Sequence, residues 1–310
     1  MIASGLALCW LFFSGKPDFQ SYDPTVFQLH AIKNMTSPTG LLVNKGRLFL
    51  SADHLDPRPG LYSLHKHPKE GYRAGLLQIL PQQSIQGLNM SPTGSFRLIS
   101  DRLFSTHPAD WVSQVVLLSA NQYNLLDIWK PDIPNECNNG QRHCGLVGLV
   151  NLPDGSMIAV TRKGPARLYR LQKVSGEWQV LRSWPLTVKG RYVTVSDLMY
   201  HNGSLIFLVK NKWMLASLDP AVLGERPGKY LELNPVFEFA HLGKSMRVGS
   251  VSFLYAGLAE AFAFDEGGQL LVVLNNKGYT FDKSPDQVLD ERPKLLVFPP
   301  VKADSDKKSN

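Results

Sequence analysis

Side chains suited to acid–base and anion chemistry recur at fixed distances from five turn glycines, Gly46, Gly94, Gly155, Gly203 and Gly268. Seven residues after each glycine stand Asp53, Asp101, Arg162, Lys210 and Asn275, each at the end of an apolar run. One position later come His54, Arg102, Lys163, Asn211 and Asn276, followed in two copies by Lys212 and Lys277. Ahead of each turn, at the head of another apolar run, stand Thr39, Gln86, Val147, Ser196 and Glu260, with Asp197 beside Ser196. Glu260, Asp101 and His54 are the candidates for a general acid or base, and an imidazole titrates usefully near neutrality. Arg102, Arg162, Lys163 and Lys210 are cations able to hold an anion or to stabilise charge developing on an oxyanion or phosphoryl group. Asn275 and Asn276 add amide contacts. The stretch "SADHLDPRPG" reads equally as a plain turn with Asp53 capping it.

Some chemistries are not written in the chain. It has no G-x-S-x-G elbow and no readable Ser-His-Asp order. It has no phosphate-binding P-loop and no dinucleotide fingerprint. No cofactor is certain. Calcium wants several carboxylates and carbonyls around one point, and Asp53, Asp101 and Glu260 spread round a ring offer it only a weak site.

The elements that must position these residues are five hairpins: "TGLLVNKGRLFLSADH", "QGLNMSPTGSFRLISDR", "VGLVNLPDGSMIAVTRK", "SDLMYHNGSLIFLVKNK" and "EAFAFDEGGQLLVVLNNK". Each is an apolar strand, a tight turn of the Asp-Gly or Asn-Gly kind, and a second apolar strand. Nearly continuous apolar runs imply burial on both faces. The turn glycines are 48, 61, 48 and 65 residues apart, and such periods with strand signals point to an all-β propeller. Two further strand-like segments follow each hairpin except the last, which has only "PKLLVFPP". Residues 25–32, "TVFQLHAI", supply the missing strand and close the ring. The expectation is five four-stranded blades, with six as the alternative if residues 228–259 hold more strands. One ring is one domain, residues 22–300. In a propeller the first strand of a blade starts where the second ends, so the polar positions should meet at one channel mouth.

Composition fits a globular protein, 44% hydrophobic and 19% charged over 310 residues. The formal net charge is +7, partly from the tail at residues 301–310, which is expected to be disordered. Basic residues are not interleaved with aromatics, so no nucleic-acid partner is expected. The apolar run from Ile2 to Phe13 is too short for a membrane span. It suits the apolar core of an export signal over residues 1–15, which predicts a periplasmic or secreted protein with no integral membrane span. Cys9 lies in that segment. Cys137 and Cys144, in "NECNNGQRHCG", are spaced to close a disulfide in an oxidising compartment. A metal site built with His143 is the weaker alternative, because no second ligand pair has zinc-like spacing.

The phrases "QGLNMSPTGSFRLISDR" and "EAFAFDEGGQLLVVLNNKG" resemble segments of bacterial secreted propellers of the esterase-like phytase family. They are more loosely similar to SdiA-regulated and gluconolactonase-like propellers. The resemblance covers the five hairpins. It implies an exported β-propeller that hydrolyses phosphate esters or other esters, sometimes with calcium, and it marks Asp101, Arg102, Glu260 and Asn276 as ligand contacts. The expected activity is binding, and hydrolysis, of a small anionic ester or lactone at the channel mouth by a monomer. The alternative is a non-catalytic propeller that binds or scaffolds an envelope protein.

Overall fold

The computed structural model describes residues 21–53, 56–68, 71–80, 83–102, 112–133, 145–162, 165–224, 230–243, 246–248, 251–253, 258–275 and 293–300. Short apolar runs between turns leave no amphipathic helical face, and the chain resolves them into strands joined by turns and 3-10 segments. Strand β1 (Gln28–Lys33) comes first. Blade I is β2 (Pro38–Asn44), β3 (Arg47–Ala52), β4 (Gly60–His67) and β5 (Gly71–Ile79). Blade II is β6 (Gln83–Met90), β7 (Phe96–Arg102), β8 (Val112–Leu118) and β9 (Leu125–Trp129). Blade III is β10 (Leu146–Asn151), β11 (Met157–Thr161), β12 (Arg167–Val174) and the long β13 (Glu177–Val188), whose far end pairs with β14 (Arg191–Tyr192). Blade IV begins with β15 (Val195–His201), β16 (Ser204–Val209) and β17 (Met214–Leu218). Strand β18 (Leu231–Glu232) returns to lie parallel to β13, and β19 (Asn234–Glu238) completes blade IV. A hairpin of β20 (Met246–Val248) and β21 (Val251–Phe253) precedes blade V. That blade is β22 (Leu258–Phe264), β23 (Leu270–Asn275) and β24 (Lys294–Phe298), with β1 as its fourth strand.

The closure is a register fact. Strand β1 pairs antiparallel with β24, from Gln28↔Val297 to Ala31↔Lys294. Its last residues turn to blade I, where Ile32 and Lys33 lie parallel to Tyr72 and Arg73 of β5. One strand therefore completes blade V and stitches it to blade I, which removes an open edge from the seam. The six-blade alternative falls. Among the described residues, 228–259 supply β18, the outer strand of blade IV, a two-stranded hairpin and the first residues of β22.

Turn chemistry fixes where each inner hairpin folds back. In blade IV, Asn202 and Gly203 both take positive φ, 47° and 81°, between the paired residues His201 and Ser204. Two-residue hairpin turns require that conformation, which asparagine and glycine tolerate best.

Five apolar clusters hold the ring, one in each seam between neighbouring blades. Trp184 of blade III and Phe207 of blade IV share one. Phe49 of blade I meets Phe96 of blade II edge-on at 4.8 Å in another. Every residue of β11, β16 and β23 is buried, as continuous apolar runs require of strands covered on both faces. Among the described residues no helix is long and apolar enough to cross a membrane.

Candidate functional site

The inner strands β2, β6, β10, β15 and β22 stand side by side around the channel. Each carries a β-bulge near its start, one to three residues in. The register jumps from Pro38 to Gly40, Ile85 to Gly87, Leu146 to Gly148, Val195 to Asp197 and Ala259 to Ala261. The unpaired residues are Thr39, Gln86, Val147, Ser196 and Glu260, and all five are buried. A bulge adds a residue without a ladder partner and re-aims its side chain. The repeat thus places one re-aimed side chain per blade at one channel end, where the second strands finish.

The bulge ring is not uniform. Among the described residues, blades I and II contribute mainly neutral polar groups, all buried: Thr39 with Ser51 (3.4 Å), Gln86 donating to Ser84 Oγ (2.7 Å), and Gln114 donating to Ser100 Oγ (3.4 Å), with one acid, Asp53, buried just beyond β3. Blades III, IV and V contribute charge. Glu260 on β22 is wholly buried, and its carboxylate faces two cations from other blades. Lys210, just beyond β16, donates from Nζ to Oε1 at 2.5 Å. Arg162, just beyond β11 and 3% exposed, places Nη2 3.2 Å from Oε2. That approach is an ion pair without hydrogen-bond geometry. Among the described residues, Arg162 Nε and Nη2 find no hydrogen-bond acceptor.

Asp197 completes the group. It occupies the position held by Gly40, Gly87 and Gly148 in blades I to III. There the next blade approaches too closely for a side chain: a Cβ on Gly148 would lie 2.5 Å from Leu198 Cβ. Blade IV fits an aspartate because its carboxylate takes up the neighbouring backbone. Oδ2 accepts from Phe262 N at 3.0 Å and Oδ1 from Leu198 N at 2.8 Å. Burial outweighs these two donors and pushes the Asp197 carboxyl up to about 8, with Arg162 acting to lower it and Glu260 to raise it. Ser196, beside it, donates to Ala259 O at 2.8 Å and ties blade IV to blade V.

The expected site residues divide. Glu260, Arg162 and Lys210 come together as one charged cluster. Asn275 is at the ring, but its amide closes the seam between blades V and I by donating to Ser37 Oγ (3.1 Å) and Pro38 O (3.0 Å). It is a structural tie rather than a free ligand contact. Asp101 and Arg102 end β7, and their side chains lie outside the described residues, as do His54, Lys163, Asn276, Cys137 and Cys144. Asp197 was visible only as a polar neighbour of Ser196. The signal that could have found it is an acid where three sister blades carry glycine. Calcium does not fit Glu260 or Asp197: Glu260 faces two cations, and both oxygens of Asp197 accept backbone N–H groups. Among the described residues no three His, Cys, Asp or Glu side chains are grouped to hold a metal ion.

No family model and no curated protein sequence matches this chain. Its architecture is shared with solved structures. Glutaminyl cyclase of Myxococcus xanthus superposes over 87% of this chain and 93% of its own, with TM-score 0.54 at 13% identity. Xylan β-1,4-xylosidase of Bacillus halodurans gives TM-score 0.54 at 12% identity, over 89% of this chain and 54% of its own. The chain is a β-propeller. At such identities the likeness carries the fold alone, and the resemblance of the hairpin phrases to esterase-like phytases gains no support from it.

Proposed function

We propose that this propeller binds a small anionic ligand at the bulge-lined end of its channel, with Arg162 as the principal anchor and Lys210 beside it. The observation that carries the reading is Arg162. A guanidinium 3% exposed, with Nε and Nη2 donors that meet no acceptor among the described residues, is costly without an anion to fill them. Glu260 supplies charge but not hydrogen-bond geometry. A carboxylate or phosphate group fits the donors of a guanidinium. The neutral groups of blades I and II suit the hydroxyls of such a ligand.

This reading favours binding over ester hydrolysis. The two oxygens of Glu260 face Lys210 and Arg162, so they are engaged rather than presented to a substrate water. It keeps the exported location expected from the apolar N-terminal run. Calorimetric titration with phosphate, citrate, gluconate and glucose 6-phosphate tests it, with p-nitrophenyl esters run alongside for turnover. At least one anion should bind, and Arg162→Met should weaken it by about tenfold or more, the worth of a charged hydrogen bond. Unchanged affinity in that variant, or no binding by any anion, overturns the proposal.

A further inference from the structure

The opposite end of the channel holds a cavity of about 270 Å³. It lies among the later residues of the inner strands and the turn after β6. Its walls are largely apolar, from Leu41, Leu88, Met90, Val150, Leu198 and Phe262. Two asparagines interrupt them, Asn89 and Asn151, and Asp197 stands at its inner limit. By comparison with a 150 Å³ cavity that takes benzene, this one takes about ten non-hydrogen atoms.

Behind the asparagines is a second buried arginine. Arg97 on β7 is 5% exposed and pairs across the ladder with Asn89. It donates from Nη1 to Asn151 Oδ1 at 2.9 Å. Among the described residues it has no ion pair, and its Nε has no acceptor. Asn89 Oδ1 is likewise buried without a donor among them. Burial alone lowers the Arg97 guanidinium to about 10. An arginine without a counter-charge imposes a positive potential on the low-dielectric space beside it. Its bond to Asn151 also fixes that amide, so the Asn151 oxygen is taken and its N–H groups are left for the cavity.

We infer that the turn-end cavity is a separate binding site for a small monocarboxylate with an apolar body, the chain lying against Leu88, Val150 and Phe262 and the carboxylate drawn to Asn151 and Arg97. This site shares no cation with the bulge ring, so it stands or falls independently of the function proposed above. An arginine kept only for packing would make the same ladder pairings but would not set a charge preference in the cavity.

The test uses the full chain and three probes of one shape: hexanoate, 1-hexanol and hexylammonium, titrated by calorimetry. Hexanoate should bind at least about tenfold tighter than hexanol, as a charged hydrogen bond allows, and hexylammonium should not bind. Arg97→Met should bring hexanoate and hexanol within about twofold of each other, since the charge term is gone. Arg97→Lys should restore part of the preference. Met90→Trp should fill the cavity and abolish binding of both probes without touching the cation. Equal affinity for hexanoate and hexanol in the parent protein, no binding of hexanoate, or an undiminished preference in Arg97→Met overturns the inference.

Discussion

The two ends of the channel each bury an arginine, and the fold treats the two differently. At the bulge end, Arg162 from blade III faces a carboxylate delivered by blade V, and blade IV adds Lys210 on the other side. At the turn end, among the described residues, the Arg97 guanidinium from blade II bonds the neutral amide of Asn151 from blade III and meets no carboxylate. The first group needs three blades at once and is part of what holds the ring in register. The second needs two neighbouring blades and leaves its charge uncompensated among the described residues. A propeller can therefore spend one channel end on a charge network that stabilises the ring, while the other end keeps a cation in an apolar setting. The difference also separates what each end can recognise. At the bulge end a ligand competes with Glu260 for the same cations. At the turn end the one acid at the cavity, Asp197, has both carboxyl oxygens engaged by the backbone N–H groups of Leu198 and Phe262.

Substitutions can break or sharpen this contrast. The largest effect is expected from Glu260→Gln, which removes the carboxylate that Arg162 and Lys210 both face. Losing one partner of a buried ionic group costs about 3–5 kcal/mol, so denaturant unfolding should show a loss of that size. A loss below about 1 kcal/mol, typical of surface pairs, would mean the bulge end is not a structural charge network.

Asp197 gives the next effect, and its sign follows from linkage. Its folded carboxyl is raised to about 8, against about 4 in an unfolded chain. The folded state therefore holds a proton that the unfolded state releases between those values. The stability it contributes is complete below about pH 4 and is lost as pH rises toward 8, by at most about 1.4 kcal/mol per pH unit. Asp197→Gly, which restores the residue type of blades I to III, should remove this decline. Guanidinium unfolding at several pH values between 5 and 8 measures the difference in slope. Parallel slopes for the two proteins would contradict it.

Gly148→Ala probes the same position from the other side. Its Cβ would lie 2.5 Å from Leu198 Cβ and 3.0 Å from Leu198 N. Overpacking of that kind costs about 1–3 kcal/mol, and a thermal melt should show it. The smallest effect belongs to Arg97→Met, whose ligand-free Tm should not fall, because an uncompensated buried charge is replaced by an apolar side chain. A clear fall would make Arg97 a packing residue and the contrast between the ends would collapse.

The parts of this molecule that are legible in sequence are those set by short-range periodicity. Turn glycines and apolar runs place the five hairpins, and closure by an N-terminal strand follows from the missing strand after "PKLLVFPP". The polar position seven residues past each glycine is likewise a local regularity. What local pattern hides is partnership across blades. Arg162, Lys210 and Glu260 read as three ring members of equal standing, yet two of them are the counter-charges of the third. Asn275 reads as a ligand contact, while its amide is spent on Ser37 and Pro38, more than 200 residues away in sequence. Arg97, inside "SFRLISDR", carries no local signal of its own, because the pattern of β7 cannot reveal that it is buried and bonds Asn151 of blade III.

Anion binding at Arg162 is tested most directly by a crystal structure of the protein with the tightest-binding anion of the panel. Density for the anion should lie about 3 Å from Arg162 Nε and Nη2, the hydrogen-bond distance, and should vanish in Arg162→Met. An anion bound anywhere else, with the Arg162 donors still unfilled, would contradict it.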